Sequence, residues 1–356
     1  MTVLLYVLGL IGVALTLGSL TRYEAWWIRA CDFPRLQIAL LLAVVLAGLL
    51  ATADLSALSN QLLALAVASC LAWQLLVVLP YTRLWPVELL AAEGPPGERA
   101  LSLLIVNVLM SNRKVDGLLA SIRAHAPDVV LALEVDDWWH RRLAEIAQDY
   151  PSQVAHPLDN TYGMLCYSRL ELIEPEVRFL LKPDIPSLRT GLRLRSGERV
   201  TFYGLHPEPP APEEAETSLP RDAELVMVAR EVAEGELTAI VAGDLNDVAW
   251  SHTSRLFRRI SRMLDPRVGR GMFNSFHARY WFLRWPLDHV FVSDDFVLHA
   301  IRRLPAFGSD HFPILITLAY APKAAVAQEA PEPDAADQAE ADDKLERVSA
   351  QPAPAP

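Results

Sequence analysis

Cysteine is scarce in this chain: Cys31, Cys70 and Cys166 are the only three in 356 residues. Their spacing fits neither a disulfide framework nor a zinc site. No Gly-x-Ser-x-Gly elbow occurs, so nothing points to a serine nucleophile of that kind. No Gly-rich phosphate loop of the nucleoside-triphosphatase type is present either. Bases are outnumbered, with 32 Lys and Arg against 43 Asp and Glu and a net charge of −11. That balance speaks against a generic nucleic-acid coat protein, which needs a net basic face.

Two blocks are defined by what they lack. Residues 1–89 carry only four Arg and four acids and are otherwise almost wholly apolar. Residues 322–356 are rich in Ala, Pro and acids, with eight acids against three bases and hardly any large apolar side chain. Such a segment buries too little apolar surface to offset its ordering entropy, and it is expected to be disordered. Between these blocks, residues 90–321 have the mixed composition of a soluble domain and a net charge of −6. Gly94-Pro95-Pro96-Gly97 marks a linker over 90–99, so the domain proper is expected over 100–321.

The first block contains three uncharged runs, at about 3–20, 36–53 and 62–79. Each has roughly the 17–25 residues needed to cross a bilayer as a helix. Trp26, Trp27, Trp73, Tyr81 and Trp85 fall mostly near their ends, as interfacial aromatics do. The first run lacks a basic leader and is followed by two more, so it reads as an anchor and not as a signal peptide. The expectation is an integral multi-pass protein of a bacterial inner membrane. The loop between the first two runs holds Arg22, Arg29 and Arg35. The positive-inside rule places that loop, and with it the domain after the third run, in the cytoplasm.

The soluble block alternates apolar strand-like runs with helical patterns. Leu101–Val108 and Val129–Leu133 read as buried strands, with a helix over 113–126 between them and another over about 137–149. Shorter strand candidates follow at 162–168, 171–180, 188–195 and 199–205. A helix at 220–234 precedes the apolar run Leu237–Ala242. Ser251 caps a helix that runs to 262. Strands at 286–293 and 312–318 close the domain.

The polar residues on this frame carry the functional signal. Asp244 and Asn246 follow a strand and point the same way. Alone, Gly243-Asp-Leu-Asn246 reads as a strand with an ordinary Asx turn. It does not stand alone. Asn107, Glu134, His206, Asp310 and His311 also lie at or beside strand ends, and Asp288 opens a strand. Glu134 and Asp310 are hard oxygen ligands of the kind Mg²⁺ prefers. Asn107 and Asn246 could orient a water or a phosphate oxygen, and Asp244 could take a proton from water. His206 and His311 could contact a phosphoryl oxygen, with a carboxylate holding His311 protonated. A metal with cationic donors around developing negative charge is what phosphoester hydrolysis requires. Ten Arg between 255 and 303 read either as a phosphate-binding patch or as a solvated helix face with scattered surface charge.

These motifs, in this order, resemble the endonuclease/exonuclease/phosphatase superfamily (the DNase I and exonuclease III type) over about residues 100–320. Leu131-Ala-Leu-Glu134-Val135 is similar to its metal-binding Glu strand. His206-Pro-Glu-Pro-Pro210 is similar to its His-bearing loop, and Gly243-Asp-Leu-Asn246 to its Gly-Asp-x-Asn motif. Leu287-Asp-His-Val-Phe-Val-Ser293 resembles its Asp-bearing strand, and Ser309-Asp-His311 its Ser-Asp-His. Asn274-Ser275-Phe276 stands where the family often has Thr before Trp or Tyr. Nothing matches its DNA-intercalating loops or inositol-phosphate motifs.

The resemblance implies an α/β fold, a four-layer sandwich of two mixed sheets flanked by helices, here preceded by three transmembrane helices. It implies that Glu134 binds Mg²⁺, or Mn²⁺, with Asp310 and Asn107 near it. Asp244 would activate water and Asn246 position it or the phosphate. His311, paired with Asp288, would stabilise the transition state, and His206 would contact the phosphate. The expected activity is hydrolysis of a phosphodiester or phosphomonoester in a lipid head group, nucleotide or nucleic acid. A membrane-tethered nuclease and an inactive membrane-bound binding module are the alternatives, and no protein partner is expected.

Overall fold

The computed structural model describes residues 2–235 and 238–350; Leu237, at the start of one expected strand, and residues 351–356 lie outside them. Three helices come first that are long and apolar enough to cross a membrane: α1 (Thr2–Leu20), α3 (Arg35–Thr52) and α4 (Leu58–Val78). A single turn, α2 (Trp26–Arg29), lies between the first two. Leu42, Val45, Leu49, Leu63 and Val67 bury the seam between these helices. Leu4, Leu10, Leu40, Leu50, Leu62 and Leu65 stay exposed on their outer faces, as helices surrounded by lipid would leave them.

The remainder folds as two mixed sheets packed face to face. The first comprises β1 (Ala100–Asn107), β2 (Val129–Leu133), β3 (Ser152–His156), β4 (Met164–Ser168), β10 (Phe296–Arg303) and β11 (Ile314–Tyr320), in the order β10-β11-β1-β2-β4-β3. The second comprises β5 (Glu171–Arg178), β6 (Ser187–Arg193), β7 (Arg199–Leu205), β8 (Ala239–Asp244) and β9 (Asp288–Val292), in chain order. Among these strands, as described, β1–β2 and β7–β8 pair in parallel and the other neighbours antiparallel.

Side-chain alternation builds the layers. Leu101, Leu103, Ile105, Val129, Leu131 and Leu133 meet Leu188, Leu192, Phe202, Ile240, Ala242 and Val290 between the sheets. Their neighbours Leu104, Val106, Val130 and Ala132 face outward onto α5 (Val115–His125) and α6 (Asp137–Leu143). On the other side, Tyr203, Leu205, Val241 and Phe291 pack on α7 (Leu219–Glu234) and α8 (His252–Ser261). The Asp136 and Ser251 side chains cap α6 and α8 by accepting the Trp139 and Ser254 amides at 2.9 Å. The expected four-layer architecture is therefore present.

Two strands escaped the sequence reading. β3 and β10 are sheet edges, half-solvated, and β10 carries a register shift between Leu298 and Ala300. The helix expected over 137–149 is α-helical only to Leu143 and continues as a 3-10 segment to Asp149.

The expectation of a disordered tail does not hold for α9 (Ala335–Ser349). Asp334 and Asp337 form a reciprocal capping box at its start. Ala341 is buried against α7 and α8. The charges that suggested solvation are spent on protein partners. Asp337 takes both Arg259 nitrogens at 2.6 and 2.7 Å. Buried Lys344 bridges Glu24 and Asp222, each at 3.0 Å.

Glu24 belongs to the segment between α1 and α3, so the sandwich is docked on the ends of the apolar helices. The Trp26 amide donates to the Glu216 carbonyl at 3.0 Å and the Ser218 amide to the Glu24 carbonyl at 2.8 Å. Trp250 Nε1 donates to the Asp32 carbonyl at 2.7 Å, and the Tyr81 hydroxyl to the Ala249 carbonyl at 2.6 Å.

Candidate active site

The topology explains why the polar residues converge. A parallel pair ends at one edge of its sheet, so β1 and β2 deliver Asn107 and Glu134 together, while β7 and β8 deliver His206 and Asp244. β9 runs antiparallel to β8 and must begin where β8 ends, which sets Asp288 opposite Asp244. β11 likewise runs antiparallel to β1, so Ser309-Asp-His311 enters at the same edge. Ligand sites of open α/β sheets gather at carboxyl ends of strands for the same reason.

Side chains bind the two sheets together at this edge. Asn107 Nδ2 donates to Glu134 Oε1 at 2.7 Å and to Asp244 Oδ2 at 3.1 Å. Asn107 Oδ1 accepts the Leu109 amide at 3.0 Å, and Glu134 Oε2 accepts the Met110 amide at 3.2 Å. Asp244 Oδ1 accepts the Asn246 amide at 3.0 Å, while Asn246 Nδ2 donates to the Pro207 carbonyl at 2.9 Å. His311 Nδ1 lies 2.8 Å from Asp288 Oδ2 and its Nε2 lies 3.5 Å from Asp244 Oδ2. Asp310, half-buried beside His311, adds its charge to the field at Glu134. The Asp244 carboxylate thus faces the same cleft as Glu134 and His311.

Backbone geometry at the site is demanding. Glu134 and Asn246 have φ of 59° and 51°. This region costs roughly 1–2 kcal/mol for a residue with a Cβ, and Asn tolerates it better than Glu. Gly243 has φ of 149°, and a Cβ there would lie 1.9 Å from the Leu205 carbonyl oxygen of the paired strand. Glycine is needed for β8 to reach its end beside β7.

Burial and charge set the protonation states. Burial pushes the Asp244 carboxyl up to about 7, against the opposing pull of the His311 charge. Burial also raises Glu134, with the Asn107 amide and the His311 charge opposing it. Burial would discharge His311, but the Asp288 and Asp244 carboxylates overcome it and raise the ring to about 10. Asp288 is held below the ordinary carboxylate range by that same cation, despite its burial. His206 differs: burial, aided by the His311 charge, lowers it to about 4, and its Nδ1 has no hydrogen-bond partner among the described residues. His206 is therefore neutral at pH 7, so the site has one cationic histidine and not two.

Asp244, Asp288 and His311 present ligand atoms within 4.8 Å of one another, close enough to hold a cation. The imidazolium between the two carboxylates is already the cation at that point. The carboxylates Glu134 and Asp310 suit a hard divalent ion, whereas Asn107, expected as a ligand, turns its Nδ2 to Glu134 and gives its Oδ1 to the Leu109 amide, and so positions the Glu134 carboxylate.

Several contributors had no role assigned to them from the sequence, although Ser309 and Ser275 stand within its motifs. Ser309 Oγ donates to the Asn107 carbonyl at 2.8 Å and accepts the His311 amide at 3.0 Å, tying β1 to the Ser-Asp-His segment. Ser275 Oγ accepts the Leu287 and Asp288 amides at 3.2 and 3.0 Å. Buried Arg221 donates to the Asn246 carbonyl at 2.8 Å and pairs with Asp222 and Asp247. The Tyr162 ring lies 5.4 Å from His206, and the Phe276 ring 5.0 Å from His311.

The arginine-rich stretch divides: Arg262, Arg279, Arg302 and Arg303 stay exposed as scattered surface charge, while others are committed to protein contacts. Arg258 pairs with Glu88, Arg259 with Asp337 and buried Arg267 with Asp265. Arg270 donates to the Leu89 carbonyl. Near the cleft, Arg284 and Arg303 lie 5.0 and 4.4 Å over the Phe312 ring, beside His311.

Comparison with known proteins bears on the fold and on the family. Among solved structures, the chain is similar to humanized D. rerio TDP2, with a TM-score of 0.51, 17% identity, and coverage of 62% of this chain and 99% of that one. It is similar to the endonuclease/exonuclease/phosphatase from Beutenbergia cavernae DSM 12333, with a TM-score of 0.51, 17% identity, and coverage of 63% and 72%. It is also similar to the human Nocturnin catalytic domain, with a TM-score of 0.51, 14% identity, and coverage of 63% and 95%. These likenesses concern the fold. No match is found among curated proteins. The sequence pattern of the Endonuclease/Exonuclease/phosphatase family matches residues 104–311, more than half of the chain. The protein belongs to the Endonuclease/Exonuclease/phosphatase family.

Proposed function

We propose that this protein is a membrane-anchored, divalent-metal-dependent phosphoesterase that cleaves a phosphodiester or phosphomonoester by attack of water. One observation carries the reading: a single amide, Asn107 Nδ2, joins Glu134 to Asp244, and Asp244 in turn lies 3.5 Å from His311. Metal-side carboxylate, base and imidazolium are therefore held in one cleft.

Glu134 and Asp310 would hold Mg²⁺ or Mn²⁺, with Asn107 fixing the Glu134 carboxylate. The ion, when bound, supplies Lewis-acid polarisation of a phosphoryl oxygen. Asp244, raised towards neutrality by burial, takes the proton of the attacking water. Asn246 orients that water or a phosphate oxygen. His311, kept charged by Asp288, donates Nε2–H to the oxygen on which negative charge builds. Neutral His206 offers a hydrogen bond to the phosphate without adding charge. The three apolar helices serve as the anchor, with the domain on the cytoplasmic side of a bacterial inner membrane.

The nuclease reading is narrowed where Arg258, Arg259, Arg267 and Arg270 are committed to protein contacts, which leaves it Arg279, Arg284 and Arg303 beside the cleft. D. rerio TDP2 has been solved with a single-strand DNA product, but at 17% identity that likeness concerns fold alone. The test is a substrate panel of nucleic acid, phospholipid and sugar phosphate, with Mg²⁺, Mn²⁺ or chelator, on the full chain and Asp244→Ala. Chelator-sensitive hydrolysis lost in the variant is the expected result. Equal inactivity of both proteins across the panel would favour an inactive binding module.

A further inference from the structure

We infer that the loop Tyr280-Trp281-Phe282 seats in the head-group layer of the membrane that the apolar helices enter, and that the cleft beside it takes the phosphoester of a membrane phospholipid. The substrate half of this inference rests on the phosphoesterase reading above; the position of the loop does not.

The three consecutive aromatics are 50%, 79% and 52% exposed. Leaving that much contiguous apolar surface in water is unfavourable and marks a contact surface. Its occupant is indicated by what adjoins it. Gln37, two residues past the start of α3, donates Nε2–H to the Phe282 carbonyl at 2.6 Å. Phe282 therefore stands at the level where a candidate membrane span begins. Tyr23, Trp26, Trp27 and Trp85 flank the same helix ends and are exposed as well. Tyr and Trp collect at this depth because each ring joins an apolar body to a polar edge.

The segment that leads into this loop, Phe276 to Ala278, adjoins the cleft. The Ala278 amide donates to the Asp310 carbonyl at 2.6 Å. From His311 a line of rings runs to the helix end: Phe276 at 5.0 Å, then Trp285 at a further 6.0 Å, then Phe33 at a further 5.6 Å. Phe33 lies two residues before the start of α3. Only three ring contacts therefore separate the catalytic imidazolium from the start of a membrane span. Exposed Arg279, with Arg284 and Arg303 over Phe312, sets cations beside the aromatic wedge, the pairing that suits phosphate head groups above an acyl layer. A nucleic acid would gain little from apolar side chains aimed at a bilayer.

The test uses the full chain in lipid nanodiscs, with the variant Tyr280→Ser, Trp281→Ser, Phe282→Ser. Two activities are read with Mg²⁺: head-group release from phosphatidylethanolamine/phosphatidylglycerol bilayers and cleavage of soluble bis(p-nitrophenyl) phosphate. Lipid cleavage should fall on the order of tenfold to a hundredfold in the variant, the cost of a substrate held off its attack geometry. Cleavage of the soluble diester should stay within about twofold, since no changed side chain enters the cleft.

An equal fall in both activities, or no fall in lipid cleavage, overturns the loop's role. Cleavage of single-stranded DNA with lipid untouched overturns the lipid substrate. Wild type inactive on every substrate sinks the phosphoesterase reading and the lipid substrate with it. Loop position is read separately, by fluorine NMR of fluorotryptophan-labelled protein, with the Trp281 resonance identified in Trp281→Phe. Broadening of that resonance by a doxyl-labelled lipid and not by an aqueous gadolinium chelate is expected. The reverse pattern overturns the seating, whatever the activities show.

Discussion

Lys344→Met should release α9 while leaving the two sheets intact. Lys344 is 5% exposed, and its ammonium donates to Glu24 Oε1 and Asp222 Oδ2, each at 3.0 Å. Removing one partner of a buried ion pair costs roughly 3–5 kcal/mol when the other is left alone. Here neither carboxylate is abandoned. Asp222 keeps Arg221 at 2.9 and 3.1 Å and Ser218 at 3.0 Å, and Glu24 keeps Arg347. The loss reduces to two charge-assisted hydrogen bonds, partly offset by the apolar replacement, or about 3 kcal/mol. Hydrogen exchange on the full chain should show protection of the α9 amides falling by about 150-fold. Amides of β1 and β2 should be unchanged.

The pH dependence follows from the same residues. Asp222 is held down at about 2, against its burial, by Arg221 and Lys344. A depressed carboxyl contributes fully above its unfolded value of about 4 and is lost as pH falls through the folded one. Lys344 is raised by Asp222 and Glu24 despite burial, so its share is complete below about 10 and is lost above that. Wild-type α9 protection should be flat between roughly pH 4 and 10 and decline on either side. Unchanged α9 exchange in Lys344→Met, or loss of protection throughout the domain, would refute the reasoning.

Other outcomes follow from the site. Asp244→Asn should lower metal-dependent hydrolysis by about 10²–10⁴-fold with the fold intact, checked by single-turnover kinetics beside circular dichroism. Glu134→Gly should abolish that hydrolysis yet unfold no more readily than wild type, because about 1–2 kcal/mol of left-handed strain and a buried carboxylate disappear together. A clear drop in its thermal midpoint would count against this account of Glu134. Gly243→Ala should cost more than about 3 kcal/mol and yield little folded protein, since the new methyl meets the Leu205 carbonyl oxygen; normal expression and activity would contradict the register at β8.

Much of this protein is legible from local pattern. The three uncharged runs are long enough to be helices of one purpose. β2 is bounded where its apolar residues begin and end, at Val129 and Leu133. The strand-end position of Asn107, Glu134, His206 and Asp244 also follows from the sequence, because a buried strand must be apolar until it emerges. Edge strands are not legible in this way. β3 and β10 are half-solvated, so their alternation is diluted.

Only the tertiary structure decides which polar residues meet and in what charge state. Two histidines of the same type end as a cation near pKa 10 and a neutral ring near 4, because two carboxylates face His311 and no carboxylate bonds His206. A tail with the composition of a disordered segment becomes α9 because Arg259, Asp222 and Glu24 wait for its charges. Three of the arginines that suggested a phosphate patch, Arg258, Arg259 and Arg267, pair with Glu88, Asp337 and Asp265 for the same reason. Charge in a sequence states what must be compensated; whether water, a ligand or another side chain compensates it depends on what the fold brings within about 3 Å.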